Sequence, residues 1–346
     1  MKKTFRSALA LAASLAVTTF SPFAQAQEVT LKFHHIWNTQ AMASVNVIAP
    51  WCDKIAKESA NKLKCQVYPA MSMGGTPPQL VDQVKDGVAD LVITLPGYTA
   101  GRFPSLEVFE LPFMTNSAEV GARAAWDYLQ KYAGKEFPGT KILAIWVHDE
   151  GYVHTREKPV KTLDDFKGLK MRAPTRQTNQ LLARLGASPV GMPLPAVVDA
   201  VSKGTIDGFL LPWEVMPSLK LHEMVKYHSE TDPSRPALYS AVFVFAMNQA
   251  KYDSLPADLK KVIDANAGAA YSQAIGKIWD SSQAVGRKLA QDRGNTFTMI
   301  PASELDNWVK AAAPLYDDFV ADMDKKGQPG KQMLQDARDL LAKYRK

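Results

Sequence analysis

Three strand-like segments set the fold in residues 29–94: VTLKF (29–33), LKCQVY (63–68) and ADLVIT (89–94). They alternate or are rich in β-branched residues, as strands are. Between them, residues 44–60 and 76–85 carry apolar side chains at helical spacing. Strands separated by helices of this length pair in parallel through right-handed crossovers. We therefore expect an α/β sheet with helices on both faces.

The same pattern starts again at residue 141. Its strand-like segments are KILAIWV (141–147), GLKMR (168–172) and IDGFLL (206–211), and its helical segments are 177–185 and 195–202. Sheets of this kind bind ligands beyond the carboxyl ends of their strands. Two such sheets facing each other would form a ligand-binding cleft between two lobes.

The last third of the chain is predicted to be mainly helical. An apolar strand at 242–247 (VFVFAM) is followed by helical sequence over 256–292 and 303–344. Residues 266–289 are rich in Ala, Ser and Gln, which predicts one long, closely packed helix without coiled-coil heptads.

The composition excludes several classes of protein. The 346 residues are 46% hydrophobic and 22% charged, with two cysteines. These values do not fit a disordered chain, a disulfide-built miniprotein or a polytopic membrane protein. The net charge is +6, and removal of the three basic residues before position 7 leaves +3. Because acidic residues are interspersed with the remaining basic ones, nucleic-acid binding is not expected.

The N-terminus is typical of an export signal. Basic residues precede an apolar run over 8–20, and AQA at 24–26 supplies the small-x-small pattern of a signal-peptidase site. The apolar run is shorter than the roughly 20 residues of a spanning helix. We therefore expect cleavage after Ala26 and an exported chain that does not itself span the membrane.

Export also bears on the two cysteines. In an oxidising compartment, Cys52 and Cys65 are more often paired than catalytic. A helix followed by a strand could bring them within bonding distance. The alternative is that they are two small buried apolar residues.

Enzyme and cofactor motifs are missing from the sequence. It contains no G-x-S-x-G, H-E-x-x-H, P-loop or G-x-G-x-x-G pattern, so neither catalysis nor a cofactor is expected. His34-His35 and the set His148, Glu150 and His154 are the local arrangements that resemble metal ligands. Adjacent side chains on a strand point to opposite faces, which disfavours the first pair. We predict no metal site and interpret these side chains as polar residues at the cleft edge.

One arginine is placed to bind a ligand. In KTLDDFKGLKMRAP (161–174), a brief strand ends at Arg172, and Pro174 restricts the backbone just beyond it. A guanidinium at a strand end can bind a carboxylate by two parallel hydrogen bonds. The alternative is an exposed arginine in a surface ion pair.

Aromatic residues cluster near the predicted strand ends. They are Trp37, Tyr98, Trp146, Tyr152, Trp213 and Tyr239. Taken singly, each is more often a core residue than a ligand contact, but their shared location favours a role in binding. Glu214, beside Trp213, could accept a hydrogen bond from a ligand hydroxyl or from an arginine that bridges the lobes.

The chain resembles a known family over nearly all of residues 27–346. The motifs include YPAMSMGG (68–75), GLKMRAP (168–174) and ASPVGMPLPAVVDAVSKGTIDG (187–208). They resemble the solute-binding proteins of tripartite ATP-independent periplasmic (TRAP) transporters, of the DctP type.

This resemblance implies a two-lobed clamshell in the periplasm, with long C-terminal helices spanning the lobes. Lobe I would comprise residues 27–149 plus 238–278, and lobe II residues 150–237 plus 279–346. The protein would be a monomer that captures a small organic acid. It would deliver the acid to the small and large membrane subunits of a permease driven by an ion gradient.

The resemblance also suggests site residues. The family's carboxylate-binding arginine matches Arg172. In sialic-acid-binding members, three polar ligand contacts fall at Tyr152, Gly75 and Leu211, which makes this pocket more apolar. We predict that Arg172 and nine further residues contact the ligand: Trp37, Thr94, Tyr98, Tyr152, Thr175, Leu211, Trp213, Glu214 and Tyr239.

The predicted ligand is an aromatic 2-oxo or 2-hydroxy acid. The alternatives are a short aliphatic keto acid or a C4-dicarboxylate. A different class, an exported enzyme acting on a small acid, would need a nucleophile or metal constellation that the sequence does not show. A binding module for an ATP-driven importer or a chemoreceptor would share the clamshell, and the motifs alone separate it from the TRAP type.

Overall fold

The computed structural model describes residues 28–345, and the predicted signal peptide with its cleavage site lies outside them. The strands are β1 (Val29–His35), β2 (Leu63–Tyr68), β3 (Leu91–Thr94), β4 (Thr140–Val147), β5 (Tyr152–Thr155), β6 (Lys170–Ala173), β7 (Ser188–Gly191), β8 (Gly208–Leu211), β9 (Tyr227–Glu230), β10 (Val242–Asn248) and β11 (Thr296–Met299). The helices are α1 (Ala49–Glu58), α2 (Leu80–Lys85), α3 (Ala118–Tyr128), α4 (Arg176–Arg184), α5 (Val197–Ser202), α6 (Met216–Leu219), α7 (Gln249–Ser254), α8 (Ala257–Ala265), α9 (Gly268–Asp280), α10 (Gln283–Asp292), α11 (Ala302–Ala312), α12 (Pro314–Lys325) and α13 (Gly330–Tyr344). None of these helices is long and apolar enough to cross a membrane.

The strands form two sheets, which confirms the predicted α/β architecture. One sheet has the order β2-β1-β3-β10-β4 and the other β11-β9-β5-β8-β6-β7. The predicted parallel pairings of β1 with β2 and β3, and of β6 with β8, are present. Two strands are antiparallel to their neighbours: β10 against β3 and β4, and β5 against β8 and β9. Strand β5 follows β4 of the first sheet, and β10 follows β9 of the second. Each therefore enters its sheet from the other half of the molecule and runs opposite to the strands beside it.

Strand β10 is buried along its whole length because both of its faces pack on helices. Phe243 and Phe245 belong to one hydrophobic cluster, whereas Val242 and Val244 belong to the other. This is the two-residue alternation of a strand between two cores. Phe245 packs edge-on against Trp51 with ring centroids 4.8 Å apart. Full burial of a side chain of this size contributes about 2 to 3 kcal/mol.

Between β1 and β11, the chain passes between the sheets three times: after β4, before β10 and after α9. Helix α13 later returns to the first half, where it packs on α3. The third passage breaks the single helix predicted for 266–289 into α9 and α10. Helix α9 packs on α3 and β4, while α10 packs on the segment Trp213–Val215. At the break, the hydroxyls of Ser281 and Ser282 both donate to the carbonyl oxygen of Ile278. Such local bonds compete with helix continuation. The exact lobe boundaries given above remain a prediction.

A disulfide joins Cys52 on α1 to Cys65 on β2, with their Cα atoms 5.7 Å apart. The pairing favoured by the sequence is therefore present. It ties the first helix to the edge strand of the first sheet.

Candidate functional site

A cavity lies between the two sheets, at the edge where the carboxyl ends of their strands meet. Its first wall comprises Ile36 and Trp37 after β1, Leu95 and Tyr98 after β3, His148 after β4, and Tyr239, Ala241 and Phe243 at the start of β10. Its second wall comprises Arg172 and Pro174 from β6, Leu194 after β7, and Leu211, Pro212, Glu214 and Val215 from the end of β8. About 350 Å³ of this space is free of atoms, part of it open to solvent.

Arg172 provides the positive charge of this cavity. Its side chain is 1% exposed, and its Nε and Nη1 atoms donate to the carbonyl oxygens of Met192 and Leu210, both at 3.0 Å. Among residues 28–345, no carboxylate forms an ion pair with it. Burial lowers the pKa of the Arg172 guanidinium, which reflects the cost of holding this charge away from water. A buried, unpaired cation is unfavourable by several kcal/mol, so the site favours an anion.

Two phenols lie beside Arg172 in the cavity wall. The Tyr98 hydroxyl accepts a hydrogen bond from the backbone N–H of Leu194 at 3.1 Å, which leaves its own hydrogen free to donate. The Tyr239 hydroxyl is buried and has no hydrogen-bond partner among the described residues. Burial raises the pKa of both phenols, so both remain neutral donors. Together with Arg172 they form a set of donors that suits a carboxylate.

The position of Tyr239 depends on Gly151. A Cβ atom at residue 151 would lie 2.0 Å from Cε1 of the Tyr239 ring. Any side chain there would therefore displace the phenol from the cavity wall.

The remaining walls are flat and apolar. The rings of Trp37 and Phe243 stack with centroids 5.7 Å apart and an interplanar angle of 24°. Trp146 lies behind Phe243, nearly parallel to it at 5.4 Å. Aliphatic side chains close the opposite wall, including Leu194, Leu211 and Val215. These walls suit an apolar ligand body.

Two further polar groups reach the cavity. His148 is 3% exposed, and its Nδ1 atom donates to the carbonyl oxygen of Asp149 at 2.7 Å. Burial lowers the pKa of His148 to about 4, so the ring is neutral. Burial raises the pKa of Glu214 to about 8, so this carboxyl group is protonated at neutral pH.

Six of the ten predicted contact residues line the cavity: Trp37, Tyr98, Arg172, Leu211, Glu214 and Tyr239. The structure places the other four elsewhere. Thr94 is buried at the end of β3, and Thr175 caps α4 by accepting from the N–H of Thr178. The Tyr152 hydroxyl donates to Glu150. Trp213 packs among His154, His228 and Phe297 and donates to Glu230 at 3.0 Å.

The two aromatic residues fall outside the lining for a geometric reason. Trp213 and Glu214 are neighbours whose side chains leave the backbone in different directions. Glu214 faces the cavity, while the indole of Trp213 enters the core of the second sheet. Leu211, directly opposite Tyr152 in the sheet, supplies the lining at this place.

His148 lines the cavity, in agreement with its interpretation as a polar residue at the cleft edge. That interpretation is wrong for His154, which lies in the second sheet against His228. Within residues 28–345, no group of three His, Cys, Asp or Glu side chains is placed to hold a metal ion. The strand-end rule that selected Trp37 and Tyr98 also applies to His148, which follows β4 directly.

The sequence and the fold both have counterparts among known proteins. Residues 33–322 match the model of the bacterial extracellular solute-binding proteins, family 7 (DctP). The chain belongs to this family. The TRAP solute-binding proteins of known structure share its fold, as the motifs indicated.

Three solved structures are particularly similar to this solute-binding protein. A TRAP solute-binding protein from Rhodoferax ferrireducens T118, in complex with copurified benzoate, is 51% identical with a TM-score of 0.90, over 91% of this chain and 98% of that one. A marine metagenome TRAP solute-binding protein specific for aromatic acid ligands, co-crystallized with 3-hydroxybenzoate, is 46% identical with a TM-score of 0.90. The match covers 92% of this chain and 100% of that one. A TRAP solute-binding protein from Bordetella bronchiseptica with bound (R)- and (S)-mandelate is 25% identical with a TM-score of 0.84. The match covers 91% of this chain and 99% of that one.

Proposed function

We propose that this TRAP solute-binding protein captures an aromatic monocarboxylate in the periplasm and delivers it to the membrane subunits of its transporter. The observation that carries the proposal is the buried, unpaired guanidinium of Arg172 beside two free phenol donors. Three donors match the oxygens of one carboxylate. The stacked pair Trp37 and Phe243 matches an aromatic body.

The alternatives fit this cavity less well. A C4-dicarboxylate would need a second cation, but Arg172 is the one arginine or lysine among the lining residues of the described chain. His148 is neutral, and a protonated Glu214 adds no positive charge. A short aliphatic keto acid would leave the face of Trp37 uncovered. The ligands reported for the three similar structures are all aromatic acids.

Binding and closure occur together in this proposal. Arg172 belongs to the second sheet, whereas Trp37 and Tyr98 follow strands of the first. A ligand that contacts both walls stabilises the closed form relative to an open one. The ligand leaves unchanged, so no catalytic group is required. We further propose that the mature protein starts after Ala26, acts as a monomer and docks on the small and large subunits of an ion-driven permease.

Isothermal titration calorimetry with the mature protein tests the proposal. The ligands are benzoate, mandelate and phenylpyruvate, with pyruvate and succinate as matched acids that lack a ring. We expect at least one aromatic acid to bind with a micromolar or lower dissociation constant. Pyruvate and succinate should bind at least 100-fold more weakly than that acid. Tighter binding of succinate or pyruvate, or conversion of a bound acid detected by mass spectrometry, would overturn it.

A further inference from the structure

The polar side chains of the cavity comprise three donors, the protonated carboxyl group of Glu214 and one imidazole. Arg172, Tyr98 and Tyr239 donate, and all three suit the carboxylate. His148 differs from them. Its Nδ1 atom is committed as a donor to the carbonyl oxygen of Asp149 at 2.7 Å. A neutral imidazole carries a single proton, so Nε2 presents a lone pair that can only accept.

This acceptor receives no hydrogen bond within residues 28–345. His148 is 3% exposed and lines the cavity, and no hydrogen bond to its Nε2 atom is formed by the described residues. The two neighbouring rings approach it edge to face, Tyr239 at 5.0 Å and Phe243 at 6.4 Å between centroids. These contacts hold the plane of the imidazole fixed. A ligand that fills the cavity would cover this acceptor, so a ligand that supplies a donor is favoured over one that leaves the acceptor unpaired.

The acceptor lies within reach of the ligand body. Tyr239 contacts the ring of His148 and also lies beside Arg172, whose charge contributes to keeping the imidazole neutral. The space around these groups is otherwise lined by apolar side chains such as Ala241 and Phe243. The nearby Oε2 atom of Glu214 is also without a hydrogen-bond partner. A carboxylate, which has no hydrogen to donate, cannot satisfy His148.

We propose that the preferred ligand is a hydroxylated aromatic monocarboxylate, and that Nε2 of His148 accepts a hydrogen bond from its hydroxyl group. This inference rests on the proposed function and narrows its ligand class. It gives the ligand a direction in the cavity, with the carboxylate at Arg172 and the hydroxyl at His148. The similar structures hold both unsubstituted and hydroxylated acids, so they do not choose between them.

The test compares the dissociation constants of paired ligands. Benzoate is measured against 2-, 3- and 4-hydroxybenzoate, and phenylacetate against mandelate. We expect the wild type to bind at least one hydroxylated acid about tenfold more tightly than its partner, the effect of one hydrogen bond to a buried acceptor. The corresponding methyl- and fluoro-substituted acids fill the same space but cannot donate a hydrogen bond. They should bind no more tightly than the unsubstituted acid.

Three variants then assign the effect to His148. His148→Phe should reduce the hydroxyl preference to less than about twofold, whatever happens to the absolute affinity. His148→Gln places an amide oxygen near the original Nε2 position and should retain part of the preference. Tyr252→Phe, which removes a hydroxyl bonded to the exposed Asp264 outside the cavity lining, should leave the ratio as it is in the wild type.

The outcomes separate this inference from the proposed function. If no aromatic acid binds, the proposed function fails. If aromatic acids bind but hydroxylated and unsubstituted partners have equal affinity for the wild type, the inference fails alone. A hydroxyl preference that persists in His148→Phe would also overturn it. If that variant does not fold, methyl or fluoro acids that bind the wild type as tightly as the hydroxylated acids would overturn it, because they fill the same space without donating.

Discussion

The Tyr98 phenol accepts a hydrogen bond from the backbone N–H of Leu194 at 3.1 Å, across the gap between the two sheets. Tyr98 ends the short helical turn after β3 of the first sheet, and Leu194 begins a turn after β7 of the second. Because the same phenol lines the cavity beside Arg172, one side chain links ligand contact to closure. A second link between the sheets is the bond from the Asn38 amide to the carbonyl oxygen of Ser218 at 2.9 Å.

Tyr98→Phe should weaken ligand binding by about 5- to 30-fold, or about 1 to 2 kcal/mol. The change leaves the N–H of Leu194 without its acceptor and removes one donor to the carboxylate. Calorimetry with the preferred acid measures the loss. Tyr252→Phe is the control, because that hydroxyl bonds the exposed Asp264 far from the cavity and its removal should not alter affinity. Equal affinities of Tyr98→Phe and wild type would show that the phenol has no role.

Arg172→Ala should weaken binding by about 3 to 5 kcal/mol, which is at least 100-fold. The ligand carboxylate would enter a mainly apolar cavity without its charged partner. The exposed Arg293 supplies the control, since Arg293→Ala removes the same charge from the protein surface. A loss of less than tenfold in Arg172→Ala would contradict the assignment of Arg172 to the carboxylate.

A second arginine, Arg176, should matter through closure. Its guanidinium donates to Glu107, which is 4% exposed, and to Asp322 at 2.7 Å. Glu107 belongs to the segment after β3, whereas Arg176 starts α4 beside the second sheet. In Arg176→Ala, closure would bury Glu107 without its main partner, at a cost of about 2 to 4 kcal/mol.

We therefore expect Arg176→Ala to weaken ligand binding by at least tenfold, although this residue does not line the cavity. Small-angle scattering should show a smaller degree of compaction on ligand addition. Arg184→Ala is the matched control on the same helix, because its pair with Asp318 is about half exposed on both sides. Such a pair contributes less than about 1 kcal/mol. Wild-type affinity in Arg176→Ala would rule out a contribution to closure.

The positions of several strands and of Arg172 could be predicted from local sequence because both depend on short-range patterns. Alternation placed β1, β2 and β4 within two residues of their observed ends, and Pro174 marked the strand end that carries Arg172. The strands missed were short and polar, such as YHSE in β9. Their pairing depends on long-range contacts that no local period records.

Side-chain direction beyond a strand end was the part of the site that the sequence could not supply. Trp213 and Glu214 are adjacent, yet one enters the core and the other lines the cavity. His148 follows β4 and reaches the cavity, while His154 reaches the second core from a strand six residues later. Backbone turns between these residues decide the outcome, and they depend on packing across the two sheets.

Replacing both cysteines, Cys52→Ser with Cys65→Ser, should lower the free energy of unfolding by about 3 kcal/mol. The disulfide closes a loop with a sequence separation of 13, and a loop of this length stabilises by roughly that amount. Neither cysteine lines the cavity, so ligand affinity should not change. Urea unfolding of the double variant, with the wild type in reducing agent as a second comparison, measures the difference. A stability equal to that of the oxidised wild type would contradict the expectation.

Glu214 should make the unliganded protein less stable as the pH rises from about 4.5 to about 8. Burial raises the pKa of Glu214 from 4.5 to about 8, and it also raises the pKa of the neighbouring Asp149. Above pH 4.5 the unfolded chain releases the proton of residue 214, whereas the folded chain keeps it until about pH 8. The unfolded state thereby gains up to about 1.4 kcal/mol per pH unit in this window.

Glu214→Gln cannot ionise, so its thermal midpoint should fall less between pH 5.5 and pH 8 than that of the wild type. Glu223→Gln, at a carboxylate whose side chain is 44% exposed, is the control and should follow the wild-type profile. Parallel profiles for Glu214→Gln and wild type would mean that Glu214 does not carry the proton.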